Sequence, residues 1–418
     1  MNGSLRPAPE SLLGVDIGTA FTKAALFEPV EGQYRLIAAG RARTTSGTHV
    51  FDGLAKACQP IEELTGRQLF KAGQPLTGEV SGRRGVEIMA ASVSCQRPLR
   101  VLATNAGAAT AASGERCAVQ LLPAGSIEDR IGRIANGGWD AVVGDGEELA
   151  LAEACLGSED GPAVIGGDAR AIRGRLSELA LKLAGETVAG IPELAAAATE
   201  PLASGAAALL SLTMLIATRF GLRLAIADCG ASQTVVAYAS PDAEWQRVRP
   251  LDQSRLAMPT TSQQLRSLHG ELQQALRSCV DDNFSADLLL GTGALVHFQR
   301  WSQPALTLLD GIQPAGVIQF ALDTAGIVSQ IAPFAPSLPD VASRIFEQDG
   351  LTGLGAAVCP RGSTKAGAKA IEVRWKLEDD GEHARSVNAG QLVRIPLAAG
   401  TKASLSLFPS KPVDVGLN

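Results

Sequence analysis

Leu12-Leu13-Gly14-Val15-Asp16-Ile17-Gly18-Thr19-Ala20-Phe21-Thr22-Lys23-Ala24-Ala25-Leu26-Phe27 sets two apolar runs on either side of a polar turn that contains a glycine. That pattern predicts two strands joined by a tight turn. The same order returns about half the chain later, in Leu224-Ala225-Ile226-Ala227-Asp228-Cys229-Gly230-Ala231-Ser232-Gln233-Thr234-Val235-Val236-Ala237-Tyr238. Both copies read strand, Asp-x-Gly, three residues, Thr, strand. Two copies at this separation predict duplication of one α/β domain.

Working outward, Arg100 to Thr104, Trp139 to Val143 and Ala163 to Ile165 read as strands. The last two are followed by Gly144-Asp145-Gly146 and Gly166-Gly167-Asp168 and then by helical stretches, the βα alternation of a partly parallel sheet. Pro201 to Thr218 carries no charge, but it holds Ser204, Gly205, Ser211 and Thr213 and leads straight into a strand. We read it as a buried core helix rather than a membrane span. Ser262 to Cys279 has helical period, and Leu288 to Leu290 runs into Gly291-Thr292-Gly293. From Gly353 the texture changes: Ile371 to Leu377, Gln391 to Pro396 and Ala403 to Phe408 alternate as strands do. The expected organisation is a flexible lead-in over 1–10, a first α/β domain over 11–205, a second over 206–352 and a small β domain over 353–418.

Composition narrows the function. The 418 residues are 46% hydrophobic and 19% charged, with 45 glycines and only 4% aromatics, which suits a globular α/β protein. A net charge of −6 without a basic, aromatic-rich run argues against nucleic acid. The seven cysteines are scattered with no CxxC pair, and the four histidines stand apart, so reduced thiols and no Cys/His metal site are expected. The N-terminus lacks an apolar core of signal-peptide length, and the expected location is cytoplasmic.

An Asp-x-Gly-Thr-x-x-Thr-Lys turn suits phosphate. Gly18 lets backbone N–H groups approach closely, Thr19 and Thr22 offer hydroxyls, Lys23 adds charge, and Asp16 can hold Mg²⁺. Asp228, Gly230, Ser232 and Thr234 take matching places in the second turn, with Asp228 as its metal-side carboxylate. Gly291 and Gly293 would let a flat base or ribose lie against backbone. The expected ligands are therefore a nucleotide and Mg²⁺.

These three pieces in this order resemble the actin, sugar-kinase and heat-shock ATPase superfamily. Further residues narrow the likeness: Thr44-Thr45, Gly53-Leu54, Ile61 to Leu69, Met89 to Ser94 and Pro98 to Val101, and later Leu308 to Val317, Asp349-Gly350-Leu351, Leu354-Gly355 and Asp414-Val415-Gly416. They are similar to the glutamate mutase L family (MutL or GlmL type), in its shorter branch that ends in a small β domain. The resemblance implies an α/β, actin-like (ribonuclease H-like) pair of domains around a nucleotide cleft. It places phosphate on Asp16, Gly18, Thr19, Thr22 and Lys23 and on Asp228, Gly230 and Thr234, with adenosine near Gly291 and Gly293. It also implies an accessory role, as chaperone or reactivating factor for an adenosylcobalamin-dependent mutase.

The chain departs from the family in three places. Ala231 stands where the second turn usually has glycine and would crowd a phosphate. Glu147 and Glu148 follow the strand that usually ends in a glycine-rich run, and would repel one. Leu251 to Leu256 replaces an expected acidic segment. Slow or lost ATP turnover on a retained fold is the expectation, so at most a slow ATPase. Two other classes stay open: a nucleotide-independent scaffold or actin-like assembly protein, with self-association, and a small-molecule kinase with Asp145, Asp168 or Asp323 as base.

Overall fold

The computed structural model describes residues 9–78, 83–156, 161–251, 262–298, 300–362, 364–377, 381–398 and 401–416. Most of the lead-in expected over 1–10, and most of Leu251 to Leu256, lie outside them.

Leu12–Ile17 is buried at all six positions, because it runs through the middle of a sheet covered on both faces. It pairs antiparallel with Phe21–Val30, Leu12 opposite Phe27 and Ile17 opposite Thr22, and parallel with Ile88–Val93. Gln33–Arg43 adds antiparallel to Phe21–Val30, and the short Ala203–Ser204 closes the far edge beside Ile88–Val93. The second sheet repeats this plan. Leu224–Cys229 pairs antiparallel with Gln233–Ala239 and parallel with Leu288–Gly293, and Glu244–Pro250 lies antiparallel beyond Gln233–Ala239. Gly316–Leu322 follows in parallel beside Leu288–Gly293. Two sheets with one strand order and one set of directions are the duplicated, actin-like (ribonuclease H-like) α/β fold.

Ser204 caps the helix Gly205–Phe220 by accepting from Ala207 N, and Gly221 ends it in the left-handed conformation at φ 62°. Its apolar residues are buried between the two sheets, where Leu209, Leu212 and Ile216 join Phe27, Ile226, Val235, Ile331 and Phe334 in one core. The uncharged Pro201–Thr218 stretch is thus largely core helix. No helix among the described residues is long and apolar enough to cross a membrane.

A separate all-parallel sheet is inserted into the first lobe, in the order Ala163–Gly166, Ala141–Gly144, Leu99–Ala103, Cys117–Leu121. It has its own core around Val101, Val143 and Leu176.

Two elements near the C-terminus differ from the sequence reading. Thr352–Cys359, expected to open the β tail, is the edge strand of the second sheet, antiparallel to Gly316–Leu322. In the tail, Lys369–Leu377 is flanked by Ala403–Pro409 and Glu382–Asn388. Gln391 to Pro396 forms no strand, and only Val393 and Ile395 of it are half-buried.

Candidate functional site

Both Asp-x-Gly turns sit at the same end of their sheets and meet. Gly18 N donates to Phe21 O at 3.1 Å, and a Cβ on Gly18 would stand 2.8 Å from that oxygen. A Cβ on Gly230 would likewise stand 2.9 Å from Gln233 O. Each glycine is therefore demanded by its own turn, and the Gly18 N–H is already used. Between the turns, Ser232 Oγ donates to Thr19 Oγ1 at 2.7 Å. Thr19 in turn donates to Ser94 O and accepts from Arg116.

The floor beneath that contact is ionic. Lys23 stands opposite Asp16 across the hairpin and reaches Asp16 Oδ2 and Ser329 Oγ, both at 3.3 Å. Burial pulls the Lys23 ammonium down, but Asp16, Asp228 and Asp323 outweigh it and hold its pKa above the ordinary value. For Asp228, burial is the largest cause, opposed by Lys23 and reinforced by Asp16 and Asp323, and its pKa rises to about 6. Asp323 is fully buried. Burial raises its pKa although Val328 N, Ile327 N and Thr292 Oγ1 donate to it.

The remaining expected residues fall in different places. Thr22 turns away from the second lobe: its hydroxyl meets Thr44 Oγ1 at 3.1 Å, and Thr44 donates to Gly18 O. Thr234 is fully buried, opposite Cys229 in the second hairpin. A Cβ on Gly291 would press on Leu295, Leu308 and Leu322, so its place is packed rather than open. Gly293 has φ +71°, and a Cβ there would stand 2.5 Å from Asp228 Oδ1, which brings it to the floor. A hollow of about 160 Å³ opens just beyond that strand, lined by Leu295, Val296, Phe298, Trp301, Pro304, Leu322 and Thr324.

Of the three carboxylates considered as a kinase base, Asp323 alone is at the floor. Asp145 and Asp168 follow strands of the inserted sheet, where Asp145 accepts from Asn105 and Asp168 caps the helix Ala169–Thr187. Glu148, expected to repel phosphate, is paired with Arg130.

Sequence reading missed Arg116. This buried guanidinium donates through one nitrogen to Thr19 Oγ1, Ser94 O and Gln96 O, and so braces the first turn from behind. Nothing in Glu115-Arg116-Cys117 signals that role. It also missed Arg41, whose Nη1 lies 2.9 Å from His297 Nε2 of the other lobe.

The donor set fits Mg²⁺ in one way. Among the described residues no three His, Cys, Asp or Glu side chains lie close enough to hold a metal by themselves. Asp16 and Asp228 are hard oxygen donors, and Mg²⁺ is commonly held by one or two carboxylates with phosphate oxygens and water completing its shell.

Residues 12–126 match the family model described as MutL protein. No curated protein matches the chain. Among solved structures it is similar to the ethanolamine utilization protein EutJ from Carboxydothermus hydrogenoformans, with 11% identity, 82% of this chain and 91% of that one covered, and a TM-score of 0.32. It is also similar to gluconate kinase from Lactobacillus acidophilus, at 9% identity, 83% and 93% coverage and a TM-score of 0.35. The Aquifex aeolicus Ppx/GppA phosphatase is a third, at 10% identity, 82% and 94% coverage and a TM-score of 0.28.

Proposed function

From a chain whose residues 12–126 match the MutL protein family on a duplicated actin-like fold, we propose an accessory protein that takes Mg²⁺ and ATP between its two hairpin turns. Nucleotide binding sets the angle between the lobes, and that angle acts on a partner protein. By resemblance, the partner is an adenosylcobalamin-dependent mutase.

The observation that carries this reading is the bond between Ser232 and Thr19. The base of the two lobes is apolar and continuous, with Phe27 edge-on to Phe334 at 6.4 Å between ring centroids. The mouth, by contrast, is closed by single polar contacts, each worth about 1 kcal/mol net. A molecule that is oily at its base and polar at its mouth opens there first, and a ligand that prefers the open form shifts the balance by its differential affinity.

In that form Asp16 and Asp228 would hold Mg²⁺, which supplies charge neutralisation for the phosphates. Lys23 supplies the cation from the first hairpin, and Arg116 keeps Thr19 in place. The apolar hollow beside Val296 and Trp301 is suited to a flat base.

One observation favours a nucleotide-independent scaffold instead: the Gly18 N–H and the Thr19 hydroxyl proton are already spent within their own lobe, on Phe21 O and Ser94 O. The kinase reading has less support, because the single carboxylate at the floor among its candidates, Asp323, already accepts three hydrogen bonds. Isothermal titration with ATP and Mg²⁺ separates the first two. Binding by the wild type that is lost in Asp16→Ala supports the accessory reading. No heat at millimolar ATP leaves the scaffold.

A further inference from the structure

We propose that Arg41 and Arg43, with His297 facing Arg41, form a cationic strip at the cleft mouth that takes the polyphosphate chain of the bound ligand. The proposal rests on the nucleotide reading above and names the residues that select for phosphate.

Phe21 and Lys23 lie on one face of their strand, directly opposite Arg43 and Arg41 of Gln33–Arg43. The guanidinium carbons of Arg41 and Arg43 stand 5.6 and 4.9 Å from the centroid of the same Phe21 ring. A ring face steadies a cation without cancelling its charge. Lys23 is answered by Asp16, and Arg35 at the other end of that strand is answered by Asp349. Neither Arg41 nor Arg43 meets a carboxylate among the described residues; Arg41 meets only the ring and His297. Two exposed guanidiniums gathered on one ring, with no carboxylate partner among the described residues, are a place where an anion is attracted.

The direction of the charges identifies that anion. At the floor Lys23 is paired with Asp16 and feels the negative charge of Asp228 and Asp323, whereas the mouth is cationic. An extended anion with a divalent ion at one end matches this order, as a tri- or diphosphate does. Planar guanidiniums bind phosphate through paired N–H donors. Because a guanidinium only donates, His297 Nε2 accepts from Arg41 in the closed form. An anion arriving there displaces His297 from Arg41 and favours the protonated ring. His297 follows Val296 of the apolar hollow in the chain, so the residue that meets Arg41 is joined directly to the place suited to a base.

Isothermal titration at constant Mg²⁺ tests this with two probes, ATP and inorganic tripolyphosphate. The samples are the wild type, Arg41→Gln/Arg43→Gln, Arg41→Lys/Arg43→Lys, and Arg175→Gln/Lys182→Gln as a control that removes two surface charges elsewhere. The expected result is weakening of both probes by about tenfold or more in the glutamine pair, part of it regained by the lysine pair, with the control unchanged. A melting curve like that of the wild type ties the loss to the site rather than the fold. If the wild type binds ATP and the glutamine pair binds it equally, the strip has no such role while the nucleotide reading stands. Binding of ATP without any binding of tripolyphosphate overturns the assignment to the phosphate chain. No binding of ATP by the wild type overturns both.

Discussion

The Oγ of Ser232 lies 2.7 Å from the Oγ1 of Thr19, so two hairpins that are far apart in sequence share one hydrogen bond at the point where their sheets meet. The bond completes a chain that runs from Arg116 through Thr19 to the second lobe. A double-mutant cycle on Thr19→Ala and Ser232→Ala should give a coupling of about 1 kcal/mol in denaturant unfolding. A coupling near zero would mean that the turns meet without holding each other.

The lobes also touch where no side chain intervenes. A Cβ on Gly14 would stand 2.1 Å from Gln330 O, a backbone atom of the second lobe. Gly14→Ala is expected to cost about 1–3 kcal/mol or more through forced separation of the strand from that segment. Gly47→Ala, where a Cβ meets nothing within 4 Å, is the matched control and should stay within about 0.5 kcal/mol.

Acid should favour the closed floor. The pKa of Asp228 is raised from 3.8 to about 6 in the fold, so its contribution to stability is fully present below about pH 3.8 and is lost as pH rises through about 6. Asp228→Asn mimics the protonated form. Its gain over the wild type should be on the order of 1–3 kcal/mol at pH 7.5 and should shrink steadily toward pH 4. Chemical denaturation at pH 7.5, 6 and 4.5 would measure it, and a gain independent of pH would assign the effect to another group.

His297 responds in the opposite sense. Burial, then Arg41 and Lys23, hold its pKa below the ordinary value of 6.5, so the folded state loses stability as pH falls below that value. His297→Gln should flatten this fall between about pH 6.5 and 5. An unchanged profile would show that Arg41 and His297 separate freely in solution.

How much of this was legible in the sequence depends on how local the signal was. The two hairpins announced themselves because each is a strand, turn and strand in continuous sequence, and their shared order revealed the duplication. Ser262–Cys279 was legible by its period, down to its bounds. Glu382–Asn388 was hidden because Glu-His-Ala-Arg-Ser-Val-Asn lies mostly exposed and carries no apolar alternation. Gln391 to Pro396 has the alternation, with Val393 and Ile395 half-buried and their neighbours exposed, but pairs with no strand of the sheet.

At the site, Asp16, Thr19, Lys23, Asp228 and Ser232 could be named from the turns alone. Arg41, Arg116 and His297 could not. Each is a single residue brought in by the fold from another element, with no repeat or neighbour to mark it. The glycines were legible as turn residues, but the reason for them was not: Gly18 and Gly230 serve their own turns, and Gly293 yields space to Asp228.

Hydrogen–deuterium exchange of the two hairpins, with and without Mg²⁺ and ATP, tests the nucleotide-controlled joint most directly, because it reads the opening of these turns. Peptides covering residues 12–30 and 224–239 should change their exchange together on adding nucleotide, and the response should vanish in Asp16→Ala. Unchanged exchange in both hairpins at millimolar Mg²⁺ and ATP would contradict the account and leave Thr19 and Ser232 as a fixed structural weld.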